Sequence, residues 1–69
     1  MTEYIVLIEK GETNYGAWVP DLDGCVSTGA TPEEAETNIR EAIELHLQGM
    51  REDGLPIPEP SKAVLVKVA

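Results

Sequence analysis

Thr31-Pro32-Glu33-Glu34-Ala35 decides the fold of this chain, because it marks where strands give way to a helix. The Thr31 hydroxyl suits an N-cap, where it accepts a backbone N–H, and Pro32 suits the first helical position, which needs no amide donor. Glu34 completes a capping-box pattern, and Glu33, Glu34 and Glu36 set negative charge at the positive end of the helix dipole. Downstream, Ala35, Ile39, Ala42, Ile43, His46, Leu47 and Met50 recur at helical spacing and define one core-facing stripe. Glu36, Arg40, Glu44 and Gln48 lie on the opposite side, with Glu36 and Arg40 in the favourable i,i+4 order. Gly54 stops the helix, and Leu55-Pro56-Ile57-Pro58-Glu59-Pro60 reads as a stiff, extended connector.

Upstream of the cap the pattern is β. Tyr4-Ile5-Val6-Leu7-Ile8 is rich in β-branched and aromatic residues and predicts a first strand. Gly11-Glu12-Thr13-Asn14 is turn material, and Tyr15-Gly16-Ala17-Trp18-Val19 resumes as a second strand that Pro20 ends. Asp21-Leu22-Asp23-Gly24 is a second turn, and Cys25-Val26-Ser27-Thr28 a third strand, which makes an antiparallel meander. Beyond the connector, Ala63 to Val68 predicts a fourth strand. The order is βββαβ, an α+β domain. A right-handed crossover sets the last strand parallel to the first, which gives a four-stranded mixed sheet of order 3-2-1-4 with one helix on one face.

The chain has 69 residues, enough for a single domain over 1–69 with a thin core. Thirteen acids against five bases give a net charge of −8 and a pI near 4.3. Residues 1–36 hold eight acids and one base, a net −7; residues 37–69 hold five acids and four bases, a net −1. Without a Lys/Arg cluster there is nothing to displace counterions from a phosphate backbone, so direct nucleic-acid binding is not expected. A cationic partner would be steered to the N-terminal half. The longest apolar run, Tyr4 to Ile8, is far too short to span a membrane, and Met1-Thr2-Glu3 opens no signal peptide. A lone Cys25 fits a reducing, cytoplasmic setting. One helix cannot cover both faces of the sheet and the last strand would be an apolar edge, so a homo-oligomer, as a dimer, is expected.

No ordinary catalytic constellation emerges. Asp21 and Asp23 flank a leucine in a tight turn without a third metal ligand, and read as turn-forming residues. His46 falls on the apolar stripe, and Cys25 has no neighbouring base or cation, so both read as packed side chains. Gly11, Gly16, Gly24 and Gly29 are dispersed and form no phosphate-cradling loop, so no cofactor is implied. Trp18, in mid-strand, serves either the core or an interface. The partner-binding candidates are therefore Trp18, the acidic turn with Asp21 and Asp23, and Glu33 and Glu34 at the helix start.

Two segments carry a family resemblance: Val19-Pro20-Asp21-Leu22-Asp23-Gly24-Cys25-Val26-Ser27-Thr28-Gly29, and Thr31-Pro32-Glu33-Glu34-Ala35 with the following Asn38-Ile39-Arg40-Glu41-Ala42-Ile43. With Tyr4 to Glu9 and Leu55-Pro56-Ile57-Pro58 they resemble the HicB antitoxins, where proline usually stands at the position of Asp23. The resemblance implies a truncated ribonuclease-H-like fold without nuclease activity. It also implies a partner, a small basic HicA-type toxin that cleaves mRNA. Many full-length HicB proteins append a C-terminal DNA-binding domain; this sequence, ending at Ala69, is expected to lack that module. The competing reading is a homo-oligomeric small-ligand or regulatory domain whose acidity serves only solubility.

Overall fold

A computed structural model describes residues 3–68. Three short strands, β1 (Leu7–Lys10), β2 (Tyr15–Trp18) and β3 (Val26–Gly29), precede one long helix, α1 (Pro32–Glu52). The sheet order is β1-β2-β3 with both pairs antiparallel. The expected meander is therefore present, as is the single helix on one face.

The strand boundaries differ from the sequence reading for identifiable reasons. The turn after β1 closes with the Gly11 N–H donating to the Asn14 carbonyl at 2.7 Å, and this sets Lys10 opposite Tyr15 and Leu7 opposite Trp18. The ladder then stops, because the β2 chain runs into Pro20, which has no N–H to donate. Tyr4 to Val6 lead into the sheet without pairing. β3 shifts one residue later than expected because Cys25 belongs to the preceding turn, its N–H donating to the Leu22 carbonyl at 3.2 Å.

That turn is not a bare hairpin tip. The Leu22 N–H reaches back to the Val19 carbonyl at 3.1 Å, and Val19 donates to Cys25 at 3.2 Å. The loop curls inward, so Val19, Leu22 and Cys25 join Ala17, Ala35, Ile39 and Leu47 in the buried core. Gly24 makes the curl possible with φ of 77°, a left-handed value that costs a glycine little. Leu22 and Ile39 are the largest fully buried side chains.

The helix is bounded as its sequence predicts. Thr31 Oγ1 accepts the Glu34 N–H at 3.0 Å, while Glu34 Oε1 accepts the Ala30 N–H at 3.1 Å, a reciprocal cap reaching one residue further back than the usual box. At the far end Gly54 adopts φ of 70°; its N–H donates to the Arg51 carbonyl at 3.1 Å and that of Leu55 to Met50 at 2.9 Å, a Schellman closure. Ala35, Ile39 and Leu47 are buried, and Ala42, Ile43, His46 and Met50 half-buried along the same stripe. Arg40 and Glu36 pair at 3.7 Å on the exposed side. The helix lies mainly over β3 and least over β1. A Cβ at Gly29 would stand 2.8 Å from Ala35 Cα and from the Glu34 carbonyl carbon, and closer still to the Ala35 nitrogen.

The expected fourth strand is the main correction. Among the described residues, 63–68 pair with no strand, and the sheet has three strands rather than four in the order 3-2-1-4. The reason lies in the connector. The Tyr4 hydroxyl donates to the Pro58 carbonyl at 2.5 Å, and Asp21 then accepts the Ser61 N–H at 2.8 Å and the Ser61 hydroxyl at 2.6 Å. These ties carry the chain past the lead-in to β1 and on to the turn after β2. Residues 63–68 continue from there as exposed chain.

Three measurements check this account. Gly29→Ala forces backbone against backbone and should cost about 1–3 kcal/mol, an overpacking penalty read as a lower unfolding midpoint. Thr31→Ala should cost about 1 kcal/mol, and for a domain this small that lowers Tm by about 4–8 °C. An unchanged Tm would mean that Thr31 does not cap the helix. The Ser61 bonds hold the Asp21 carboxyl below its ordinary value. A depressed acid contributes its link above the unfolded value and loses it as pH falls through the folded one. The Asp21–Ser61 link should thus weaken only as pH falls below the ordinary carboxylate range, and Ser61→Ala should raise the Asp21 titration midpoint measured by carboxyl NMR.

Candidate partner-binding surface

The pleat divides the sheet residues between two faces. Ala17 of β2 and Ile8 of β1 turn towards α1 and the core. On the opposite face, the register aligns Leu7, Trp18 and Val26 in one cross-strand row. Trp18 is half-buried at its centre, and its neighbours are open, Leu7 at 43% and Val26 at 65% exposure. Aromatic and β-branched residues set opposite one another in this way stabilise the ladder. They also form an apolar stripe that α1 does not cover. The next row on this face, Glu9, Gly16 and Thr28, is polar or small.

Trp18, Asp23 and Val26 share the lining of a shallow depression of about 280 Å³ at the end of this stripe, with Leu22 and Cys25 behind it. Asp23 is exposed there. Asp21, two residues earlier, faces the connector and spends both carboxylate oxygens on Ser61. Glu33 and Glu34 belong to the other end of the sheet. Trp18 pairs with Val26 at the start of β3, whereas the helix follows Gly29 at its finish. Four residues of strand span about 10 Å. Glu34 is occupied by its cap, while the exposed Glu33 receives the Thr37 hydroxyl on its backbone carbonyl and leaves its carboxylate free for a partner.

The structure thus brings Trp18 and Asp23 together, sets Asp21 beside them in a bonded role, and sets Glu33 and Glu34 apart. Leu7 and Val26 complete the stripe; they emerge only once the register is known, because an isolated apolar residue in a strand carries no label for its face. Burial pushes the Cys25 thiol above its ordinary value, so at neutral pH it is protonated and a poor nucleophile. No group of three or more His, Cys, Asp or Glu able to hold a metal ion occurs among the described residues, and no described helix is long and apolar enough to cross a membrane.

Comparison with known proteins gives this surface a context. Residues 4–67 match the model of the HicB-like antitoxins of bacterial toxin–antitoxin systems. A UPF0150 protein of Helicobacter pylori is 45% identical over 62 residues, which cover 90% of this chain and 86% of that protein. An uncharacterised 14.9 kDa protein of Haemophilus phage HP1 is 45% identical over 56 residues, 81% of this chain and 42% of the phage protein. Among solved structures, a chain of a HicA3 and HicB3 toxin–antitoxin complex superposes with a TM-score of 0.70 at 29% identity, covering 86% of this chain and 72% of that one. With a capped helix on a three-stranded meander, and a family match over nearly its whole length, the chain belongs to the HicB-like antitoxins.

Proposed function

We propose that this protein binds and occludes a small basic toxin of the HicA type, and that the toxin docks on the sheet face opposite α1. The observation that carries the reading is the Leu7–Trp18–Val26 row, an apolar stripe with an aromatic centre, bordered by the exposed Asp23. Interfaces concentrate their energy in such centrally placed aromatic anchors, while acids at the rim set approach and register. The net −7 of residues 1–36 gives a cationic nuclease a long-range attraction, and Glu33 extends the acidic border towards the helix start. The family and the toxin–antitoxin complex among its structural neighbours support a partner of this class. The role is inhibition by occlusion, without catalysis, in the cytoplasm where mRNA is cleaved.

Asp21 and Glu34, both first-rank candidates by charge, contribute indirectly: one holds the connector, the other the helix cap. A fair test therefore separates the anchor from the rim. Trp18→Ala should weaken inhibition of a HicA-type ribonuclease by about 2 kcal/mol, roughly thirtyfold, with the thermal unfolding midpoint measured in parallel to show that the domain still folds. Asp23→Lys with Glu33→Lys should slow association at low salt and match the wild type at high salt, since exposed charges act through a screened field. Equal inhibition by wild type and Trp18→Ala would remove the sheet face from the interface.

A further inference from the structure

Residues 63–68, Ala-Val-Leu-Val-Lys-Val, are a strand without a sheet. Leu65 is fully exposed, Val64, Val66 and Val68 are exposed by 65%, 75% and 81%, and the segment makes no ladder among the described residues. Apolar exposure on this scale is unusual for a monomer. The same chain holds a sheet edge without a strand. β1 is an outer strand of the sheet, and between its lead-in (Tyr4, Val6) and the helix (Ile39, Ile43, Leu47) lies an open, largely apolar groove of about 630 Å³. The other outer strand is better protected. Asn38 Nδ2 donates to the Thr28 carbonyl of β3 at 2.8 Å, and α1 lies over that side.

We infer that residues 63–68 of one copy add to the β1 edge of a second copy, reciprocally, in a two-fold strand-exchanged dimer. The donor strand and the acceptor edge are carried by the same chain, so a single two-fold operation satisfies both at once and closes the assembly. The direction of the chain favours the second copy over the chain's own edge. Tyr4 and Asp21 hold the connector at Pro58 and Ser61, which delivers it to the turn after β2, inward of the β1 edge, and the residues that follow are exposed. The radius of gyration is 13.5 Å, against about 11 Å for a compact domain of this length. In the dimer each sheet gains its fourth strand in the order 3-2-1-4, and alternate valines of the incoming strand cover the groove between Val6 and α1. The added strand supplies main-chain partners to an edge that otherwise invites uncontrolled pairing. This assembly is independent of toxin binding, since the Leu7–Trp18–Val26 face stays open in it.

The test uses the full chain at tens of micromolar without any partner. Sedimentation equilibrium should report twice the 7.5 kDa chain mass. In an equal mixture of ¹³C-labelled and ¹⁵N,²H-labelled chains, NOEs between residues 63–68 and Leu7–Lys10 should link differently labelled copies. Leu65→Pro with Val66→Pro removes N–H donors from both alternating edges of the segment and should yield a monomer with unchanged helical circular dichroism. A 7.5 kDa wild type, NOEs confined to one chain, or a double-proline variant that remains dimeric would each overturn the exchange. So would a segment that becomes ordered only when a basic nuclease is added, which would make it part of the toxin site.

Discussion

The seat of the helix on the sheet is a backbone contact. Gly29, the last residue of β3, lies so close to Ala35 in the first turn of α1 that there is no room for a side chain between them. A contact of this kind fixes distance and angle together, because neither backbone can yield as a side chain would. It forces the helix to start over β3, and the cap at Thr31 then aims it across the sheet. The helix covers β3 well, β2 less and β1 least. The open groove beside Tyr4 and Val6, and the free outer edge of β1, follow from where that one contact sets the helix.

A chain this short cannot fill its core from strands and helix alone. Among the described residues, three of the seven buried apolar ones, Val19, Leu22 and Cys25, come from the β2–β3 connection. Because the loop turns Leu22 inward, its polar members are pushed outward into distinct positions. Asp21 meets the connector and Asp23 meets solvent beside Trp18. One loop thus closes the core, tethers the C-terminal connector and edges the binding face. Acidity in this protein is accordingly divided. Some carboxylates are committed to amides and hydroxyls, others remain free for direct contact with a partner, and all of them add to the long-range field that salt screens.

Much of this was legible in the sequence. The helix limits, its buried stripe and the meander followed from residues whose local chemistry has one reading, such as Thr31 with Glu34, Pro32, and Gly54. Registers were not legible, since they depend on which turn closes first; a one-residue slip would have placed Leu7 and Trp18 on the core side. The role of Asp21 was hidden for a similar reason. A carboxylate in a turn looks the same whether its oxygens face water or a serine forty residues away. The strand character of residues 63–68 was evident, but composition reports a tendency to pair and not the location of the partner edge.

That distinction bears on how so small a domain reconciles stability with recognition. Its apolar residues exceed what one helix and three short strands can enclose, and apart from Leu45 and Leu55 the exposed excess among the described residues gathers in two places: the stripe Leu7–Trp18–Val26 and the segment Val64–Val68. They differ in kind. The first is anchored in a ladder, with side chains held by neighbours on both strands, and so offers a preorganised surface at small entropic cost on binding. The second is unpaired backbone with both donors and acceptors free, and ordering it costs about 1–2 kcal/mol per residue in backbone entropy. A partner for the stripe needs complementary shape. A partner for the segment needs a sheet edge, and β1 puts an outer strand in every copy of the chain.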